Sequence, residues 1–161
     1  MKTIAGIPAH NNWLCIASLI DGADEHVDKI IVVDDGSEDK TVKITERTRT
    51  GATVVKQGNA GEGVAIRRLI EEAKRRDADA LVIIEANCEY SFIANRIGKA
   101  KVTDSQSGLR ALSRYAMDTI RTKMDGDAVK WEMVVNEAEQ GLRIKEVGIG
   151  VSGERISGGY D

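Results

Sequence analysis

The chain has 161 residues, of which 42% are apolar and 30% charged, and its formal net charge at neutral pH is -3. This composition predicts one globular domain over residues 1–161, with enough apolar material for a core, and argues against disorder. The small acidic excess supplies no broad basic field, so nucleic acid is not an expected partner.

Short apolar runs alternate with segments of helical periodicity in the first half of the chain. Four continuously apolar runs, each bounded by turn residues, predict strands over Thr3–Ile7, Lys29–Asp34, Ala52–Lys56 and Ala80–Glu85. The segments between them predict helices over Asn12–Ile20, Asp39–Thr50 and Glu62–Arg75. This order predicts an α/β fold, with a mostly parallel sheet covered by helices on both faces.

The second half of the chain contains fewer clear elements. The stretch TDSQSGLRALSR predicts a turn, after which Ser113 caps a helix. WEMVVNEAEQG predicts a helix that ends at Gly141, and GLRIKEVGIGV predicts a returning strand. The helical period places four residues of that helix toward the core: Trp131, Val134, Val135 and Ala138.

Two aspartates end the second predicted strand, in VVDDGSEDKT. A plain strand–turn–helix junction accounts for Asp34, because Gly36 permits a sharp turn and Ser37 can cap the next helix. The side chain of Asp35 is expected to point the other way. Ligands bind beyond the carboxyl ends of parallel strands, so Asp35 is predicted to accept hydrogen bonds from a ribose diol or a base edge.

Other common nucleotide and hydrolase signatures are missing from the sequence. The glycines of GNAGEG stand in the wrong order for a dinucleotide-binding motif, and there is no P-loop, HExxH or GxSxG. His10 and His26 are the only histidines. A dinucleotide oxidoreductase, a P-loop NTPase and a Ser-His-Asp hydrolase are therefore not expected.

Five segments resemble, in the same order, the motifs of family 2 glycosyltransferases. They are IPAHNN (7–12), VVDDGSEDKT (32–41), NAGEGVAI (59–66), IIEANCEYS (83–91) and VTDSQSGLRALSR (102–114). The resemblance is closest to the dolichol-phosphate mannose synthase and polyprenyl-phosphate glycosyltransferase branch. It implies a GT-A fold, which agrees with the alternating pattern, and inverting transfer of a sugar. The implied donor is of the GDP-mannose or UDP-glucose type, and the implied acceptor is a polyprenyl phosphate or similar molecule at a membrane surface.

The resemblance also implies where the nucleotide binds. Pro8, His10 and Asn12 are expected to line the nucleotide pocket together with Asp35. The family usually has tyrosine and glutamate at the positions of His10 and Asn12. For the small residues around Gly61, two interpretations stay open: a close-packed helix start, or direct contact with the donor.

The segment IIEANCEYS departs from the Asp-x-Asp that family members commonly have. In an extended conformation Glu85, Asn87 and Glu89 project to one side, so their oxygens could converge on a cation. The expected cofactor is Mg²⁺ or Mn²⁺, because a divalent cation neutralises the charge of the departing nucleoside diphosphate. The alternative is a lost cation site, in a nucleotide or nucleotide-sugar binding module that no longer catalyses transfer.

The acceptor side is the second departure from the family. Family members carry a much longer segment than the FIANRIGKAK found here, so the acceptor region near residues 91–102 is expected to be shortened or to lack residues. The resemblance implies catalytic roles for Asp104 and Arg110 near the diphosphate or the acceptor phosphate. The alternatives are a loop role for Asp104, a surface position for Arg110, and a chain that is a piece of a larger transferase.

The sequence has no run of apolar residues long enough to cross a membrane and no signal-peptide pattern. The predicted location is cytoplasmic, with peripheral membrane attachment left open. Cys15 and Cys88 form no closely spaced pair, so both are predicted to be reduced, buried thiols. A disulfide or a metal site at these cysteines is the alternative.

Overall fold

The structure is a computed structural model, and it describes residues 1–86, 108–126 and 128–146. Its strands are β1 (Thr3–Ala9), β2 (Lys29–Asp35), β3 (Thr53–Gln57), β4 (Ala80–Ile84) and β5 (Leu109–Ser113). They form one sheet in the order β3-β2-β1-β4-β5. Strands β1 to β4 are parallel, and β5 is antiparallel to β4.

Helices cover both faces of this sheet. They are α1 (Ile16–Asp24), α2 (Thr41–Thr45), α3 (Glu62–Arg75), α4 (Arg114–Thr119) and α5 (Ala128–Glu139). Alternate residues of β2 enter two different cores, as the period of a strand requires. Ile31 and Val33 pack under α3, α4 and α5, while Ile30 and Val32 pack under α1 and α2. The predicted α/β class, with a mostly parallel sheet, is confirmed.

The two neighbours of β1 separate at its carboxyl end. Pairing with β2 continues to Ala9, whereas pairing with β4 ends at Gly6. Pro8, which has no N–H to donate, lies beyond the last residue paired with β4. The strand order also reverses between β1 and β4, which is where open α/β sheets form their ligand crevice.

Helix boundaries follow the prediction only in part. Helix α3 has the predicted bounds. Helix α1 begins later than predicted, after a turn in which the carbonyl of Asn12 accepts from the amides of Cys15 and Ile16. Cys15, at the end of that turn, is half-buried rather than buried as predicted, while Cys88 lies outside the described residues.

Helix α2 is much shorter than the predicted Asp39–Thr50. Most of its residues are β-branched, in the sequence TVKIT, and such side chains lose rotamer freedom in a helix. The hydroxyl of Thr45 also donates to the Thr41 carbonyl at 2.9 Å, and that of Thr48 donates to the Thr45 carbonyl at 2.7 Å. Hydroxyls that bond to backbone carbonyls in this way favour turns, so the helix stops early.

Strand β5 occupies residues that were predicted as a turn. Its side chains are mostly half-buried or exposed, so the apolar signal that would have indicated a strand is weak. The predicted cap at its end is confirmed, because the Ser113 hydroxyl accepts from the Ala116 amide at 3.2 Å and α4 follows.

Helix α5 buries a different face from the predicted one. Val134 is buried as predicted, Trp131 and Val135 are half-buried, and the core position of Ala138 is wrong because this residue is exposed. The helix begins before Trp131, and its buried residues are Val129, Lys130, Met133 and Val134.

The predicted end of α5 at Gly141 is confirmed. Gly141 has a φ of 69°, and the Leu142 amide donates to the Glu137 carbonyl at 2.9 Å. Residues 142–146 form no strand, and the rest of the predicted returning strand lies outside the described residues. In the described part of the chain, no helix has both the length and the apolar character needed to cross a membrane.

One buried acid on α3 links three basic side chains. The carboxylate of Glu72 lies 3.2 Å from both Arg68 Nε and Arg75 Nη1, and it accepts a hydrogen bond from Arg76. That hydrogen bond holds the pKa of Glu72 below its ordinary value, and the charges of the three arginines act in the same direction against the effect of burial.

We predict that Glu72→Gln lowers the free energy of unfolding at neutral pH by about 1 kcal/mol, because the variant loses one charge-assisted hydrogen bond and two ion pairs. A lowered folded-state pKa means that this contribution is complete above pH 4.5 and is lost as the pH falls through the folded pKa. Urea unfolding at about pH 7 and about pH 3 measures the difference, with the exposed neighbour Glu71→Gln as control. A difference of equal size at both pH values would contradict the prediction.

Candidate functional site

Asn12 spans the region between the carboxyl ends of β1 and β4, which is where a ligand crevice is expected in an open α/β sheet. Its side-chain amide donates to the Ala86 carbonyl at 3.2 Å, and its side-chain oxygen accepts from the His10 amide at 2.7 Å. The thiol of Cys15 also donates to the Ala86 carbonyl, at 3.4 Å. The segment after β1 is therefore tied to the segment after β4, although the two strands no longer pair there.

His10 makes the corresponding connection to β2. Its Nδ1 lies 2.8 Å from the carbonyl oxygen of Asp35, and its Nε2 lies 3.1 Å from the side-chain nitrogen of Asn11. A carbonyl only accepts, so Nδ1 carries the proton and Nε2 accepts from Asn11. The Asn11 backbone amide donates to the Ser37 hydroxyl at 2.9 Å. The predicted pocket residues His10 and Asn12 thus hold the strand ends in place.

The carboxylate of Asp35 is buried and fixes the loop that follows β3. Its Oδ1 accepts from the Gln57 side chain at 2.8 Å and from the Ala60 amide at 2.9 Å, and its Oδ2 accepts from the Gly61 amide at 2.8 Å. A carboxylate offers about four acceptor positions, so these three donors do not exhaust it. The nucleotide-binding role of Asp35 stays a prediction, and its role in the loop is an addition to it.

Asp34, also buried, has the turn role that the sequence indicated, but the predicted cap at Ser37 is wrong because α2 begins after Lys40. Its Oδ2 accepts from the Ser37 amide at 3.3 Å, which closes the turn after β2. Its Oδ1 has no hydrogen-bond partner among the described residues. A buried acceptor without a partner is costly, and a ligand that donates a hydrogen bond there would remove that cost.

Two glycines allow the loops around the crevice to pack closely. Gly36 has a φ of 76°, and a Cβ on it would lie 2.7 Å from the Asn59 backbone nitrogen. A Cβ on Gly63 would collide with the Met124 carbonyl and lie 2.5 Å from the Asp125 carboxylate. The structure thus gives the small residues at the start of α3 a packing role, while direct donor contact stays a prediction.

Three charged side chains meet at the end of β4. The ammonium of Lys130 lies 2.8 Å from Glu85 Oε2 and 3.8 Å from Glu62 Oε1. The side chains of Lys130 and Glu85 are each only 6% exposed. Sequence reasoning missed Lys130 because it placed the helix start at Trp131. The spacing of Lys130 from Met133 and Val134, three and four residues along the helix, is the signal that would have revealed it.

The predicted cation ligands are only partly within the described residues. Glu85 is described, whereas Asn87, Glu89 and the predicted catalytic Asp104 lie outside, as does the expected short acceptor region at 91–102. In the described part of the chain, no group of three or more His, Cys, Asp or Glu residues is placed to hold a metal ion. The carboxylate oxygens of Glu85 and Glu62 are nevertheless the donor type that Mg²⁺ and Mn²⁺ prefer.

Arg110, the second predicted catalytic residue, lies beside this cluster on β5 and is half-buried. Its guanidinium donates to the Lys130 carbonyl at 3.0 Å. Its charge also reaches Glu137 of α5, where burial raises the carboxyl pKa and Arg110 opposes that rise. Arg110 thus attaches α5 to the sheet next to Glu85, and a catalytic role for it stays a prediction. The predicted pocket residue Pro8 is buried within β1.

Sequence comparison identifies the family. The chain matches the family model described as "Glycosyl transferase family 2" over residues 5–118. It therefore belongs to glycosyl transferase family 2, and the family resemblance of its motifs is confirmed. No curated protein sequence matches the chain. The narrower likeness to the dolichol-phosphate mannose synthase branch stays a prediction.

Solved structures of glucosyl-3-phosphoglycerate synthase from Mycobacterium tuberculosis share the fold. The complex with phosphoglyceric acid has a TM-score of 0.69 and 20% identity, over 86% of this chain and 66% of that chain. The complex with Mn²⁺, UDP and glucosyl-3-phosphoglycerate gives the same four values. The complex with Mg²⁺ and UDP has a TM-score of 0.69 and 19% identity, over 86% and 65%.

These similarities confirm the predicted GT-A type of fold. The chain spans 66% of the length of the first of these structures. The presence of Mn²⁺ or Mg²⁺ with UDP in those complexes agrees with the expected divalent cofactor.

We predict that Asp35→Ala lowers the free energy of unfolding by about 1–3 kcal/mol, because the Gln57 amide and the Ala60 and Gly61 N–H groups lose their acceptor. Gln57→Ala removes one of these donors and keeps both backbone hydrogen bonds, so its effect should be clearly smaller. Urea unfolding of the two variants and the parent measures this order. Equal losses in the two variants would show that the backbone contacts of Asp35 contribute nothing.

Proposed function

We propose that this family 2 chain provides the nucleotide-sugar site of a glycosyltransferase that uses a UDP-sugar and a phosphate-bearing acceptor. The observation that carries the proposal is the reversal of strand order between β1 and β4, where Asn12 and His10 join the strand ends. The fold neighbours crystallised with UDP and with UDP-glucose favour a uridine donor over a guanosine donor.

The acceptor in this proposal is an anionic phosphate compound. The motif resemblance indicates a polyprenyl phosphate, whereas the fold neighbours bind phosphoglyceric acid. With a polyprenyl phosphate, the attacking phosphate oxygen is already deprotonated at neutral pH, so attack by it requires no strong general base. In the proposed single displacement, the acceptor oxygen bonds to the anomeric carbon as the bond to the diphosphate breaks, and the configuration inverts.

Catalysis in this proposal depends on positioning and on charge. Asp35 keeps its predicted contact with the nucleotide while its other hydrogen bonds hold the loop at Gly61. A divalent cation, when bound, would neutralise charge on the leaving diphosphate, with Glu85 and Glu62 as oxygen ligands beside the predicted Asn87 and Glu89.

Transfer assays on the full natural chain test the proposed reaction. UDP-glucose and GDP-mannose are each supplied with 3-phosphoglycerate or a polyprenyl phosphate, with and without Mn²⁺. We expect product with the uridine donor and with at least one of the two acceptors. UDP binding without transfer to either acceptor would instead support the non-catalytic binding module, which the neutral Asn87 also favours.

We further predict that Gly36→Ala weakens UDP binding by about tenfold or more, because the added Cβ pushes the Asn59 backbone out of position. Gly22→Ala is the matched control. A Cβ at Gly22 on α1 meets nothing within 4 Å, so UDP affinity should stay unchanged. Calorimetric titration with UDP compares the two, and an unchanged affinity in Gly36→Ala would place the nucleotide away from this loop.

A further inference from the structure

A lysine ammonium pairs with one of the carboxylates to which the motif resemblance assigns a divalent cation. Nζ of Lys130 is 2.8 Å from Glu85, the first predicted ligand of that cation, and 3.8 Å from Glu62. Both members of the closer pair have side chains that are 6% exposed, so water and salt screen their attraction only weakly.

The surroundings hold Lys130 in this position. Its carbonyl accepts from the Arg110 guanidinium at 3.0 Å, which fixes the first turn of α5 against β5. The neighbouring residues Val129, Met133 and Val134 are buried on the same helix. The lysine stem therefore lies in the apolar packing of α5, with its ammonium directed at the end of β4.

We propose that Lys130 is a resident counter-ion of the candidate cation site, and that a divalent cation must displace its ammonium to bind Glu85. The inference rests on the proposed function only in placing the cation at Glu85. A cation bound to that carboxylate at the usual distance of about 2.0–2.6 Å would repel an ammonium that is already 2.8 Å from the same carboxylate. The lysine thereby lowers the affinity of the site for divalent cations.

Manganese titration of Lys130→Met tests the inference, with the electron paramagnetic resonance signal of free Mn²⁺ as the readout. We expect Mn²⁺ to bind at least about tenfold more tightly than to the parent, because a competing positive charge is gone. Lys123→Met removes the same charge from an exposed position in the loop before α5 and should leave the affinity unchanged. Adding Glu85→Gln to Lys130→Met should abolish the gain.

A second variant and a second readout keep the inference testable if Lys130→Met does not fold. Lys130→Met leaves the Glu85 carboxylate buried without this ammonium, which destabilises the fold. Lys130→Gln keeps a hydrogen-bond donor at the position, and thermal unfolding of both variants is followed with and without Mn²⁺. We expect Mn²⁺ to raise the Tm of the variants more than that of the parent, or to restore folding where it is lost.

Each outcome separates the inference from the proposed function. Unchanged Mn²⁺ affinity in both Lys130 variants, or unfolded variants that Mn²⁺ at millimolar concentration does not restore, would overturn the inference even if the parent transfers sugar. Tighter Mn²⁺ binding that requires Glu85 would support it even if no transfer is detected with any donor.

Discussion

The arrangement of the crevice depends on the buried carboxylate of Asp35. A buried carboxylate must have donors, and two of those available are backbone amides at the loop that precedes α3. This requirement sets where α3 begins and brings Gly63 against the Met124 carbonyl. The Met124 amide in turn donates to Glu132 of α5 at 2.8 Å. The carboxylate at the end of β2 is therefore connected, through two loops, to the helix that carries Lys130.

Parts of this arrangement could be predicted from sequence because they follow from local patterns. The alternation of apolar strands and amphipathic helices identified the parallel sheet, and α3 has a strong helical period that gave its correct bounds. Helix α2 was predicted too long because the apolar period is the same whether or not the side chains are β-branched. Strand β5 was missed because it lies half-exposed at the edge of the described sheet and has few buried residues.

The Lys130–Glu85 ion pair could not be predicted for a different reason. Its members are distant in the sequence, and only the packing of α5 against β4 and β5 brings them together. A buried ion pair loses hydration energy that its own attraction repays only in part, so it contributes little net stability. Replacing one member leaves the other buried without an opposite charge. A ligand that displaces one member must therefore supply the charge that this member supplied.

Two motif positions that are usually acidic in the family, those of Asn12 and Asn87, carry neutral amides in this chain. An ionised glutamate, usual in the family at the position of Asn12, could not donate to the Ala86 carbonyl as the Asn12 amide does. Asn87 replaces a second carboxylate, and Lys130 neutralises Glu85. The two amides and the Lys130–Glu85 pair reduce the negative charge of the residues that the family motifs assign to the diphosphate and its cation. A crevice that is less negative repels a diphosphate less, so it has less need of a divalent cation to hold one.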